Sequence, residues 1–196
     1  MAATRLAATF LAATLMLGIS ACSMKVDKTA DGKDKDVDIK TPVGNLSVHK
    51  GADAKDTGID VYAKATPKHD NNDDSANVNL SVPGFGMKVA VESFTSEDSP
   101  EKVLSFYREN FKKRYATVVE CKGSFGNVSA HKDKDKDFSK PVSCDSGSHG
   151  SSETVELKAG TEGNQHIVAI RPDGSGTEFK LVYLKMQTKD DKENPI

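Results

Sequence analysis

The side chains in this chain with chemistry to offer are five histidines (His49, His69, His131, His149, His166), three cysteines (Cys22, Cys121, Cys144) and two aspartate-rich runs. A serine hydrolase built on a strand-turn-helix elbow needs G-x-S-x-G. Neither Gly147-Ser148-His149-Gly150 nor Gly174-Ser175-Gly176 supplies it. Zinc calls for cysteine or histidine pairs at short spacing, and neither Cys121 nor Cys144 has such a neighbour. Asp133, Asp135 and Asp137 take the first three spacings of a calcium loop, but Phe138 stands at the required glycine and Cys144 at the bidentate glutamate. Asp70, Asn72 and Asp74 fail likewise, with Ser75 and Ser81 at those places. Lysines alternate with the aspartates of 31–38 and 131–137 and cancel the field a cation would need. Gly84-Phe85-Gly86 lacks the third glycine and the helix of a dinucleotide loop. The residues therefore predict no catalytic centre, no metal and no cofactor.

Composition narrows the partners. Among 196 residues, 27 basic side chains nearly balance 29 acidic ones for a net charge of −2, which leaves no basic surface for nucleic acid. The apolar residues are unevenly spread. Leu6 to Ala21 is an apolar run behind a single charge, Arg5, broken by Thr9, Thr14, Gly18 and Ser20. Its 16 residues reach roughly 24 Å as a helix, short of a hydrocarbon core of roughly 30 Å. A basic start, an apolar middle and small residues before a cut are the layout of a secretory signal.

The end of that run, Ile19-Ser20-Ala21-Cys22, resembles the lipobox of bacterial lipoproteins, an aliphatic residue and two small ones before an invariant cysteine. The resemblance covers residues 1–22 and implies a diacylglyceryl group on the Cys22 thiol, cleavage just before it, and acylation of the new amine. Ordinary secretory cleavage after Ala21 is the competing reading, and Ile19 is a poor fit to the small residue that cut prefers three places upstream. Two or three acyl chains would hold the protein on a membrane where one gives only marginal binding. With Ser23 rather than aspartate after the cysteine, the resemblance implies sorting to the outer membrane, facing periplasm or cell surface.

An odd cysteine count in an exported protein leaves one to explain. If Cys22 carries lipid, Cys121 and Cys144 are free to pair, closing a loop worth about 3 kcal/mol in an oxidising compartment. Two buried free thiols are the alternative.

Stepping along the mature chain, residues 22–74 hold nine lysines and eleven aspartates, no arginine or glutamate, and one aromatic, Tyr62, too little for an independent core. Residues 22–35 read as a flexible tether. In 36–74, Val37 and Ile39, then Leu46 and Val48, alternate with polar residues around turn formers at Pro42–Asn45, which predicts a hairpin; Ile59 and Val61 could add a strand, and 64–77 reads as linker. From 75 to 188 the chain gains a core. Val78, Leu80 and Val82, then Met87, Val89 and Val91, form a hairpin about Pro83–Gly86. Ser99, Pro100 and Glu101 open a helix whose Val103, Leu104, Tyr107, Phe111 and Tyr115 share one face. Strands follow at 117–121, 125–130, 154–158, 166–171 and 178–187, the last apolar enough to be covered on both faces. Residues 189–196 are a polar tail.

The expected fold is α+β: an antiparallel sheet of five to seven strands with one main helix, about 100–115, on one face. Helix aromatics at this spacing are core, with Phe106 off the stripe and, if exposed, marking a contact surface or the mouth of a groove between helix and sheet; His166 is a strand-edge side chain. The expected function is a lipid-anchored envelope protein with a binding or scaffolding domain, an envelope protein being a candidate partner. The alternative is a periplasmic carrier or accessory factor for an apolar ligand or envelope protein, and after it an unrecognised hydrolase.

Overall fold

The computed structural model describes residues 23–28, 34–51, 53–68, 75–122, 125, 137–144 and 153–188. The apolar run of residues 6–21, Cys22 and residues 189–196 lie outside them. The strands are β1 (Ser23–Lys28), β2 (Asp34–Thr41), β3 (Gly44–Lys50), β4 (Thr66–Pro67), β5 (Ala76–Val82), β6 (Phe85–Ser96), β7 (Val118–Lys122), β8 (Val155–Thr161), β9 (Asn164–Asp173) and β10 (Gly176–Thr188). A four-residue helix, α1 (Ala54–Thr57), and the main helix, α2 (Pro100–Arg114), complete the fold.

All the strands belong to one sheet, ordered β1-β2-β3-β5-β6-β10-β9-β8-β7, with β4 on β6 beyond the end of β5. Antiparallel pairing runs throughout. The sheet has ten strands where five to seven were expected, and the protein is predominantly β rather than α+β. The extra strands come from the lysine- and aspartate-rich first third. Its strands need no core of their own, because each completes the backbone ladder of a neighbour. Residues 23–28, read as tether, pair with β2 in a register that sets Met24 against Ile39 and Val26 against Val37. The 36–74 hairpin joins the rest through β3 and β5, Val48 opposite Val78 and Leu46 opposite Leu80. Ile59 and Val61 form no strand; they follow α1, with Ile59 buried.

The helix is the expected one. Ser99 caps with its backbone oxygen, which accepts from Lys102 and Val103, while its side chain makes no cap bond. Pro100 sits in the first turn, and Lys112, Lys113 and Arg114 complement the C-terminal dipole. Val103, Leu104, Tyr107 and Phe111 are buried against Leu157, Val168, Ile170, Phe179 and Leu181 on β8, β9 and β10, and Phe94 of β6 stacks on Phe179. Fully burying such side chains contributes about 1.5–3 kcal/mol each. Arg108 fastens α2 to edge strand β7, its Nε and Nη2 donating to the two oxygens of Glu120 at 2.9 and 2.8 Å, while Nη1 reaches Glu101 at 2.7 Å.

The alternate residues of β10, Val182, Leu184 and Met186, are buried on the opposite face with Ile167 and Ala169, so the last strand is covered on both sides. Cys121 and Cys144 are joined in a disulfide with Cα atoms 5.5 Å apart. The bridge ties the ends of the connection whose Phe125 lies over the Arg171 guanidinium at 4.1 Å and near the Lys180 ammonium at 5.1 Å. The rest of the 125–130 segment expected as a strand lies outside the described residues.

Candidate functional site: the polar face of the sheet

Strict alternation gives β2, β3, β5 and β6 one polar and one apolar face. Asp36 and Asp38, Ser47 and His49, Asn77 and Asn79, and Lys88 share the side on which α1 and α2 pack; Val37, Ile39, Leu46, Val48, Val78, Leu80, Met87 and Val89 share the other. Register turns the polar side into cross-strand rows. One runs Asp36–His49–Asn77–Ala90–Tyr183–His166, and the next runs Asp38–Ser47–Asn79–Lys88–Lys185.

At the β2–β3 end these rows assemble a serine, a histidine and two aspartates that the sequence did not bring together. His49 Nε2 lies 2.9 Å from Ser47 Oγ, and His49 Nδ1 lies 3.3 Å from Asp36 Oδ1. That connectivity is the outline of a hydrolytic triad, but the proton inventory differs. Ser47 Oγ is in a short hydrogen bond to Asp38 Oδ1. A carboxylate can only accept, so the Ser47 hydroxyl donates to Asp38, while the role of His49 Nε2 towards Ser47 follows from the tautomer of the ring. A general base has to accept the nucleophile's proton, and in this geometry the Ser47 hydroxyl is directed to Asp38. The His49 side chain is 40% exposed.

Beside the cluster is a cleft of about 600 Å³. Its floor is the next row, Asn45–Ser81–Gly86–Gln187, across β3, β5, β6 and β10, with Ser47 and Asn79 along one side. Gly86, in the middle, is buried and contributes no side chain.

Farther along the same face, His166 stands between Tyr115 and Tyr183, ring centroids 5.0 and 4.9 Å away. Burial, with Arg114 adding to it, pulls its pKa down to about 4, so it is neutral at pH 7. The strand-edge expectation put His166 at an element end; the structure packs it in an aromatic stack next to the core. Phe106 is half-buried edge-on to Tyr62 and Tyr107, so it does not open a groove mouth. The space between α2 and the sheet is filled by side chains.

The opposite face carries buried charge. Glu178 accepts from Arg171 Nη2 at 2.7 Å and pairs with Lys68 at 3.1 Å; Glu156 and Lys158 lie 3.5 Å apart. Among the described residues no group of three or more histidine, cysteine or acidic side chains could hold a metal ion. Asp137 of the lysine-aspartate run accepts from the Ser139 amide and hydroxyl. Asp133, Asp135, His69, His131 and His149 lie outside the described residues.

The chain matches no protein-family model, no curated protein and no solved structure.

Proposed function

We propose that this chain is a lipid-anchored cell-envelope protein, acylated on Cys22, whose sheet binds or scaffolds a partner without a catalytic centre. The observation that carries the binding reading is the polar sheet face with its open cleft, beside which the Ser47 hydroxyl is directed to Asp38. The Cys121–Cys144 bridge supports an oxidising compartment, and the lipobox resemblance supports the anchor and the outer membrane as its site. Labelling cells with a clickable palmitate analogue tests the anchor: the wild-type chain incorporates label and stays with membranes, and Cys22→Ser loses both. Equal membrane retention of Cys22→Ser would overturn it.

A second reading, an accessory factor for an apolar ligand or envelope protein, is favoured by the apolar face of the N-terminal strands. Its side chains from Val37 to Val89 are only half-buried, and Met24 is 67% exposed. Mass spectrometry of lipids carried through purification tests it, and a lipid-free spectrum would count against it.

A further inference from the structure

We infer that the turn end of the N-terminal strands is a surface for a lipid bilayer, with the tips of the β2–β3 and β5–β6 turns seated where headgroups meet acyl chains. This rests on the lipid-anchor reading above and names the part of the fold that meets the lipid. The first observation is where the exposed apolar side chains lie. Among the described residues the large ones left exposed are Met24, Val43, Val61 and Val82, with Val43 the most exposed at 69%. All but Val61 are at one end of the sheet. Register puts Ser23, Lys40, Asn45, Ser81 and Gly86 in a single cross-strand row, with Val43 and Val82 just beyond it at the two turns and Met24 one step inside it. Cys22 precedes Ser23, so the acylation site joins β1 at this same end.

The second observation is the backbone. A turn leaves water at low cost only when its polar groups already have partners. Pro42 and Pro83, one in each turn, carry no N–H. In the β2–β3 turn the Thr41 hydroxyl accepts from the Val43 N–H at 3.3 Å and donates to the Gly44 carbonyl at 2.9 Å, so the tip that projects Val43 has that donor paired within itself. The third observation is charge. On β1, β2, β3, β5, β6 and their turns, from the row of Met24 outward, the described residues include no carboxylate, and their single charge is the exposed Lys40, of the sign that anionic headgroups attract. Glu162 belongs to the β8–β9 turn, across β10 from the tips, and Asp137 to the loop bonded to that turn. The two tips are two strand spacings apart, roughly 10 Å. A fluid interface closes round separated apolar side chains of this kind, whereas a second protein would need a surface shaped to match them.

The chain has no tryptophan, so a single introduced indole reports its own depth. The test uses the full chain with Cys22 intact, its acylation read by intact mass, in vesicles of phosphatidylethanolamine with a minor share of phosphatidylglycerol, either unlabelled or brominated along the acyl chains. Bromine quenches an indole that reaches the acyl boundary. We expect bromination to lower the emission of Val43→Trp and of Val82→Trp about twofold, as for side chains held at that boundary. Val61→Trp, between Asp60 and Tyr62 where both bond to α2, should keep its emission. Met24→Trp is not used, because an acylated Cys22 brings Met24 to the bilayer whatever the turns do. Should Val43→Trp fail to fold, Val82→Trp carries the same prediction. Emission untouched by bromination in a chain that is acylated and vesicle-bound would overturn the inference and leave the anchor standing. Quenching in a chain that is not acylated would remove the anchor and keep the inference, and a chain neither acylated nor quenched would remove both. Blue-shifted emission that is the same with and without vesicles, from a chain that sediments as a dimer, would give the tips to a second copy and overturn the inference.

Discussion

The backbone N–H of Tyr62 donates to the hydroxyl of Tyr107 across 3.1 Å. A residue of the lysine- and aspartate-rich first third is thereby bonded to the middle of the main helix, and the Tyr62 hydroxyl in turn donates to Asp98 at 2.6 Å, just ahead of that helix. Asn110 and Arg114 of α2 reach back to Asp60, the latter also to the Gly58 carbonyl. These bonds join the first third directly to the main helix.

Tyr107→Phe keeps the ring in the core and leaves the Tyr62 amide, in a buried residue, without its acceptor. The expected loss is about 1–3 kcal/mol, read as a lower midpoint of a single urea transition with unchanged slope. Two separate transitions in the wild-type chain would contradict the coupling.

His166 predicts a pH dependence of stability. Its folded pKa, about 4, lies below the ordinary 6.5 because burial between Tyr115 and Tyr183 disfavours the charged form. Between these values the unfolded chain binds a proton that the native chain does not, so stability from this group is full above pH 6.5 and declines as pH falls towards 4. After discounting for its partial contact with solvent, the decline is on the order of 1–2 kcal/mol. Denaturation midpoints measured from pH 7.5 to 4 should fall for the wild type and fall less for His166→Phe. Equal slopes would remove the assignment.

The Cys121–Cys144 bridge closes a loop of sequence separation 23. Replacing both cysteines with serine should cost about 3 kcal/mol through the freedom returned to the unfolded chain, and reducing agent should lower the wild-type midpoint to that of the variant. A midpoint insensitive to reductant would show that the bridge does not form.

How much of this could be read from residues differs by element. The helix from Pro100 and the closing strands were legible because apolar side chains recur there with a clear period and reach full burial. The strands at 23–28 and 34–41 were harder: aspartate and lysine alternating with a few aliphatics looks the same in a solvated tether and in a strand with one wet face, and the pairing that decides between them comes from the partner strand. The Asp36–Asp38–Ser47–His49 cluster was within reach. A two-residue turn at Pro42-Val43 sets Thr41 opposite Gly44, and counting outward sets Asp38 opposite Ser47 and Asp36 opposite His49. Reading the turn as Pro42–Asn45 leaves the register open by a residue, and one slip exchanges the faces. The cleft had no local signal, since Asn45, Ser81, Gly86 and Gln187 come from four strands and meet only through the completed sheet.

Strand β1 begins at Ser23, the residue after Cys22. A leash over 22–35 would let the folded part wander up to roughly 45 Å from a lipidated cysteine, whereas a single peptide unit permits about 4 Å. An acyl group on Cys22 would therefore moor the edge of the sheet against the bilayer surface and fix its stance there, so that whatever the protein meets must come to it within a few nanometres of the lipid.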